Sequence, residues 1–406
     1  MDMKKQLDEA YLPDKEARKN RVVVGLSGGL NSFVAAYLLK IQKYDLIGVT
    51  VTLSWDNYKD DVSGVLACHL EQPQIESIKE FCHQLGIPHF LVKASDEFKE
   101  EVVESWVANR ITGTKPNPCW NCHELRMRVL HKKMVELEAQ EVATGHLAKL
   151  FRQELHHSVY LHTSNDEMFD QSGILSRLPH EVLDKLMLPL SDLQQKEINK
   201  LAENFGLSSN PKKIKMHECF DGIPNSELYL AANTPKKYLK AGELIGTDKV
   251  PLGNHLGVHF YKFGQVYPLP LQKQTDPFYF TKYTVVDKKI EIAKPDYFMQ
   301  KSIYLRNCKF AEETSWFEPI KGVLKLGEAE YADCWIYPKN ISCAVIEFET
   351  AHSVQEGELV TILKKKGKNS KVYLTGKVKY IVVEEKTPIP TQEGKERAKV
   401  DYTRDF

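Results

Sequence analysis

The chain has 406 residues, 42% of them hydrophobic and 27% charged, with 55 Lys+Arg matched by 55 Asp+Glu. This is the composition of a soluble globular protein of roughly two or three domains, and it excludes a uniformly cationic surface, so any nucleic-acid partner has to be held by local basic patches. No apolar run reaches the length of a membrane span, the opening MDMKKQLDEAYLPDKEARKN has no hydrophobic stretch, and the eight cysteines are scattered, so a cytoplasmic protein without signal peptide, membrane helix or disulfide framework is expected.

Residues 1–20 read as a polar arm. Val22-Val23-Val24-Gly25 then reads as a buried strand that breaks at Ser27-Gly28-Gly29 and enters a helix over Phe33–Lys40. Glycines here let the backbone approach a ligand with its N–H groups bare, and the helix start adds the positive end of its dipole. The turn is therefore an anion site, with neither the lysine of a Walker A loop nor the spacing of a dinucleotide fingerprint. Strand Leu46–Leu53, helix Gln74–Leu85 and strand His89–Val92 follow, and repeated βαβ units of this kind imply a parallel sheet with ligands at the carboxyl ends of its strands. A helix over Glu97–Arg110, an irregular loop Thr112–Cys122, a helix Leu125–Glu138 and a strand Glu141–Thr144 closed by Gly145-His146 continue the domain. With the helix Gln195–Phe205 it spans 21–208.

Over 209–285 the βα rhythm gives way to short strands, Gly-rich turns and prolines. From 286 to 385 period-2 runs such as Lys288–Ile292, Ser342–Glu349 and Leu359–Leu363 read as a small antiparallel barrel or sandwich. Lys364 to Lys371 reads as a solvated hairpin tip, with contact to a phosphate backbone as the lesser alternative, and 386–406 as a polar tail.

Asn117-Pro118-Cys119-Trp120-Asn121-Cys122 carries a C-x-x-C with no second pair and no histidine pair to complete a zinc site. Its thiols stand before a helix expected to begin near His123, where the dipole and Arg126 or Arg128 favour a thiolate. Cys219 lies far away in sequence, in an irregular segment. Cys68, Cys82, Cys308, Cys334 and Cys343 fit core positions. His146, at a strand end, is a base, a ligand or a loop-positioning residue.

Ser27 to Ser32 resembles the S-G-G-x-D-S PP-loop of ATP pyrophosphatases, with Asn31 in place of the Asp. Together with Thr114 to Cys122, Ala143 to His146, Asp170 to Ser172, Cys219 and Gly253 to Gln265, in that order, it resembles the tRNA-specific 2-thiouridylases from about residue 21 to about 380. The resemblance implies an α/β PP-loop domain (adenine nucleotide alpha hydrolase-like), a small central tRNA-binding domain and a C-terminal antiparallel β-barrel. It implies an ATP-dependent sulfurtransferase that forms 2-thiouridine at the wobble position of tRNA, with ATP and Mg²⁺ and a sulfur donor, either a persulfide carrier or hydrosulfide. Gly25, Leu26, Ser27, Gly28, Gly29, Leu30, Asn31 and Ser32 would hold the phosphates, with Val51 and Gly145 beside the adenosine. Asn117, Pro118 and Cys119 would meet the target uracil, and Phe169, Asp170 and Gln171 would lie against tRNA. Cys122 matches the first catalytic cysteine and Cys219 the one that carries sulfur as a persulfide. Position 119 is often Asp in that family, so Cys119, Cys122 and Cys219 also suit a four-iron four-sulfur cluster. All three are expected to meet at the ATP site. Lys325-Leu326-Gly327-Glu328 stands where the family has basic and aromatic RNA contacts. A non-thiolating RNA-binding paralogue and a PP-loop enzyme acting on a small molecule are the competing readings.

Overall fold

The computed structural model describes residues 20–53, 70–112, 114, 117–153, 158–207, 220, 226–261, 266–267, 278–284, 287–311, 318–326 and 330–381. Cys68, Cys219, Gln265, Gly327, Glu328, most of the expected arm and the tail lie outside the described residues.

β1 (Arg21–Gly25) leads through the Ser-Gly-Gly turn into α1 (Leu30–Ile41), followed by β2 (Asp45–Thr52), α2 (Gln72–Leu85) and β3 (His89–Lys93). A helical stretch comes next in three pieces, Ser95–Phe98, a π-helical turn Lys99–Val103 and Glu104–Thr112, together α3. Then come α4 (Pro118–Glu136), β4 (Glu141–Ala143), a hairpin of β5 (Lys149–Gln153) and β6 (Ser158–His162), short helices α5 (Ser172–Leu175) and α6 (His180–Asp184), β7 (Leu186–Met187) and α7 (Gln195–Asn204). The strands order β3-β2-β1-β4-β7, all parallel.

Valines make β1 because both of its faces are covered. Val23 packs with Val49, Leu125 and Met127 on one side, and Val22 and Val24 pack with Phe33, Leu39 and Ile78 on the other. The chain runs from β1 outward to β3 and then crosses back to place β4 on the other side of β1. The strand order thus reverses between β1 and β4, and it is at the carboxyl ends of strands at such a point that parallel sheets of this kind take their ligands.

After α8 (Ser226–Ala232), a second sheet forms from β8 (Gly242–Ile245), β9 (Pro251–His255), β10 (Val266–Tyr267), β11 (Phe278–Thr284) and β12 (Lys289–Ala293), in the order β10-β11-β12-β8-β9. The last unit is a closed antiparallel barrel of β13 (Met299–Phe310), β14 (Ile320–Lys325), β15 (Tyr331–Asn340), β16 (Cys343–Ser353), β17 (Leu359–Leu363) and β18 (Val372–Ile381), ordered β13-β16-β15-β14-β17-β18. Its interior holds Ile303, Leu305, Ile336, Ile346, Ile362 and Leu374. Leu363 and Val372 instead join the core that contains α4, so the barrel leans on the first domain.

Two expectations are corrected. The run Lys288–Ile292, expected in the barrel, falls in β12, which pairs with β11 and β8 of the second sheet; alternation marks a strand but not the sheet it joins. The helix expected over Leu125–Glu138 begins at Pro118, because a proline is preorganised for the first helical position and its missing N–H costs nothing there. Both thiols of the C-x-x-C thus belong to a helix and not to a loop. Among the described residues no helix is long and apolar enough to cross a membrane, and no group of three or more His, Cys, Asp or Glu side chains is placed to hold a metal ion.

Candidate active site

The turn after β1 is braced by its own hydroxyls. Ser32 Oγ donates to Gly29 O at 2.7 Å and accepts from Ser27 N–H at 3.3 Å, while Leu26 N–H reaches Val49 O on β2 at 2.9 Å. Gly28 has a φ of +76°, yet a Cβ there would meet only the Leu70 and Ile78 side chains at 3.4 and 3.5 Å. Backbone conformation, not crowding, requires this glycine. Gly29 is the N-cap of α1 and supplies no side-chain cap, and with the Ser32 N–H donating to Gly29 O at 3.1 Å it is the N–H groups of Leu30 and Asn31 that face an anion.

Asn31 is not turned toward that opening alone. Its Nδ2 donates to Gln195 Oε1 at 3.0 Å, and Gln195 Nε2 donates back to Asn31 Oδ1 at 2.9 Å. Gln195 opens α7, and its N–H donates to Asp166 Oδ2 at 3.0 Å. A carboxylate at position 31 could accept from Gln195 Nε2 but would face Gln195 Oε1 unpaired. Asn and Gln therefore form a matched neutral pair here, and Mg²⁺ would be held mainly by the nucleotide phosphates and water.

Gly145 follows β4 and lies against the same helix start. A Cβ on it would fall 2.6 Å from Asn31 C and from Ser32 N, backbone atoms that cannot swing aside. Gln171 fixes the segment beyond: its Oε1 accepts from Leu147 N–H at 3.0 Å and its N–H donates to Leu147 O at 2.8 Å.

The residue after Gly145 links the Ser-Gly-Gly turn to the helix that carries the thiols. His146 Nε2 is 3.1 Å from His123 Nε2, with the rings edge to face, and His146 Nδ1 is 2.8 Å from Thr144 Oγ1. One hydrogen bridges the two Nε2 atoms, so at least one ring accepts through an unprotonated Nε2, and burial favours the neutral form of both. Burial holds His146 down at about 4. Burial, then His146 and Arg126, push His123 well below the ordinary histidine value. His123 Nδ1 is buried with no hydrogen-bond partner. Of the roles expected for His146, its contacts serve loop positioning. Sequence reasoning did not single out His123 as its partner.

His123 directly follows Cys122. Cys119 and Cys122 stand three residues apart near the start of α4, on one helix face, with Cys119 half-buried and Cys122 buried. Arg126 Nη1 donates to Val51 O at 2.9 Å, tying α4 to the end of β2, and Arg128 pairs with Glu101. Asn117 Nδ2 donates to Gly357 O at 2.7 Å, in the turn between β16 and β17 of the barrel. Pro118 is buried. Phe220, the residue after Cys219, is 3% exposed and shares the core cluster of Cys122, with its ring 5.0 Å from that of Trp106.

Of the residues expected against tRNA, Asp170 is turned inward. It accepts from Ser164 N–H and Ser172 Oγ at 2.8 Å each and pairs with Lys325 at 2.8 Å, its side chain 1% exposed. Lys325 is thereby engaged in docking the barrel. Phe169 is 52% exposed.

With this geometry in place, comparison with known proteins is decisive. The family described as tRNA methyl transferase HUP domain matches residues 20–222. The tRNA-specific 2-thiouridylase MnmA of Lactococcus lactis subsp. lactis (strain IL1403) is 34% identical over 252 residues, 62% of this chain and 64% of its own length. That of Staphylococcus aureus (strain JH9) is 33% identical over 260 residues, 64% of this chain and 67% of its own. The chain belongs to the tRNA-specific 2-thiouridylase family. Its matched stretch spans a little under two thirds of the Lactococcus 2-thiouridylase. The solved NMN synthetase from Francisella tularensis, at 15% identity and a TM-score of 0.32 over 54% of this chain and 79% of that one, adds nothing to the assignment.

Proposed function

We propose that this family member is an ATP-dependent tRNA sulfurtransferase that converts the wobble uridine to 2-thiouridine, with 21–208 as the PP-loop domain, a central tRNA-binding domain that runs from 209 through β12 and so beyond the expected boundary at 285, and the barrel from β13 onward. The observation that carries the reading is the 3.1 Å contact of His123 with His146. It sets the Cys122 turn beside the Gly145 segment, which itself presses on the phosphate-binding turn. Activation and sulfur delivery need to act on one base without its leaving, and proximity of this kind supplies much of the required acceleration.

The uracil 2-oxygen is a poor leaving group. In the first step it attacks the α-phosphorus of ATP, pyrophosphate departs, and N3 gives up its proton. The Gly28-Gly29 turn and the start of α1 stabilise the phosphate charge. In the second step the terminal sulfur of a persulfide on Cys219, charged by the donor, attacks C2 and the C2–O bond breaks to release AMP. In the third, the Cys122 thiolate attacks the Cys219 sulfur. The bond to the transferred sulfur breaks and leaves it on the base, and the resulting disulfide must be reduced by an external thiol before the next cycle. The third step requires Cys219 beside Cys122; Cys219 lies outside the described residues. The described residues supply two of the three thiols, Cys119 and Cys122, that a four-iron four-sulfur cluster would need.

A specific observation favours one competing reading. The neutral Asn31 and Gln195 pair suits a paralogue that binds RNA without thiolating it. Mass analysis of tRNA nucleosides after incubation with ATP and a sulfur source separates the two. 2-Thiouridine that disappears with Cys122→Ala supports thiolation. Bound but unmodified tRNA supports the paralogue.

A further inference from the structure

The lysine run between β17 and β18 is not a loose tip. Thr163, just after β6, donates its N–H to Ser370 O at 2.8 Å and its hydroxyl to Gly367 O at 2.9 Å, and Thr163 Oγ1 accepts from Ser370 N–H at 2.8 Å. Ser370 Oγ in turn accepts from Lys365 N–H at 3.0 Å. Thr163 and Ser370 are 1% and 0% exposed, so the tip is clamped to the first domain around a buried polar centre.

The lysines on this clamped tip divide into two sets. Lys371 lies over the Tyr160 ring at 3.5 Å, Lys364 over that of Tyr373 at 4.9 Å, and Lys366 pairs with Asp333 at 2.8 Å. Lys365 and Lys368 are exposed and have no acidic partner among the described residues. Beside them is the turn Glu167–Phe169, since a Cβ on Gly367 would lie 3.5 Å from Glu167 Oε1. That turn exposes Met168 by 54% and Phe169 by 52%. Asp166, just before it, holds Gln195 and, through Gln195, Asn31 of the nucleotide turn. Two cations on a rigid support with large apolar side chains alongside match an alternation of phosphates and base faces, where an acidic protein surface would leave the apolar pair exposed.

We propose that the Lys365 and Lys368 tip is a phosphodiester-binding surface that grips the RNA backbone while the target base is held at the nucleotide turn. The inference rests on the RNA reading above. It gives the net-neutral chain a local cationic hold, on the first domain's side of the barrel and connected to the nucleotide turn by hydrogen bonds.

The test uses the full chain, an unmodified tRNA transcript and monovalent salt between 50 and 200 mM. Each lost phosphate contact lowers the slope of log affinity against log salt by roughly 0.7 to 0.9. Lys365→Ser/Lys368→Ser should therefore flatten the slope by about 1.4 to 1.8, so that its affinity deficit is about tenfold larger at 50 mM than at 200 mM. ATP affinity should be unchanged. Wild-type tRNA binding with the same affinity and slope in the double variant overturns this proposal alone. Loss of binding to phosphatidylserine vesicles with RNA binding intact overturns it in favour of a membrane surface. Absence of tRNA binding by the wild type removes the RNA reading and this inference with it.

Discussion

Gly145→Ala probes the contact between the β4 loop and the α1 start. The added Cβ would sit 2.6 Å from two backbone atoms of the α1 start, and ordinary van der Waals separation of 3.4 Å requires the helix start or the β4 loop to retreat by about 0.8 Å. Forced overpacking of this size costs about 1–3 kcal/mol. A displacement approaching an ångström in groups that position a reacting phosphate can cost about a hundredfold in rate. Gly29→Ala is the control for stability alone, because its Cβ would meet nothing nearer than Ser27 Oγ at 3.4 Å and its φ is ordinary. Urea unfolding of both variants should show the larger loss in Gly145→Ala, and calorimetric ATP titration of Gly145→Ala a weakened nucleotide site. Wild-type stability and wild-type ATP affinity in Gly145→Ala would refute the claim that the β4 loop sets the position of the phosphate turn.

Three further outcomes follow from the same contacts. Asn31→Asp should lose one of the two amide bonds to Gln195 and cost about 1 kcal/mol in denaturant unfolding, while making ATP affinity more dependent on Mg²⁺; an unchanged Mg²⁺ dependence would mean position 31 lies away from the metal. His146 is held at about 4 against 6.5 when free, so the unfolded chain binds the extra proton first and stability, complete above about pH 6.5, should fall by up to about 3 kcal/mol as pH drops toward 4. His123 adds in the same direction, and a urea midpoint that stays flat from pH 7.5 to 4.5 would contradict neutral rings. Lys325→Met leaves the Asp170 carboxylate, 1% exposed, without its cation and should cost about 3–5 kcal/mol, with partial rescue by Asp170→Asn in the same chain; additive losses in the double variant would show that the pair does not couple barrel to first domain.

What could be read from the sequence were features whose signal is local. Val22-Val23-Val24 before Ser-Gly-Gly gives the central strand and its turn because burial on both faces and positive φ each leave a mark on residue type. The barrel strands show through their alternation. The start of α4 was obscured because Cys119-Trp120-Asn121-Cys122-His123 has no apolar period, and only Pro118 marks it. The β5–β6 hairpin escaped notice because no Gly, Asn or Pro stands between Gln153 and Ser158 in the sequence to mark a break. His123 with His146, Asn31 with Gln195 and Thr163 with Ser370 pair across 23, 164 and 207 positions. No periodicity connects residues so far apart; only the tertiary fold does. The lysine run likewise reads as a solvated tip until its clamp to Thr163 is seen.

The central claim, adenylation of the uracil 2-oxygen at this site, is tested most directly by isotope transfer. A tRNA carrying ¹⁸O at the 2-position of the wobble uridine, incubated with the full chain, ATP and a sulfur source, should yield AMP bearing one ¹⁸O in its phosphate alongside 2-thiouridine. Formation of 2-thiouridine with unlabelled AMP would contradict the account, because the oxygen would then have left the base without ever having been joined to the nucleotide.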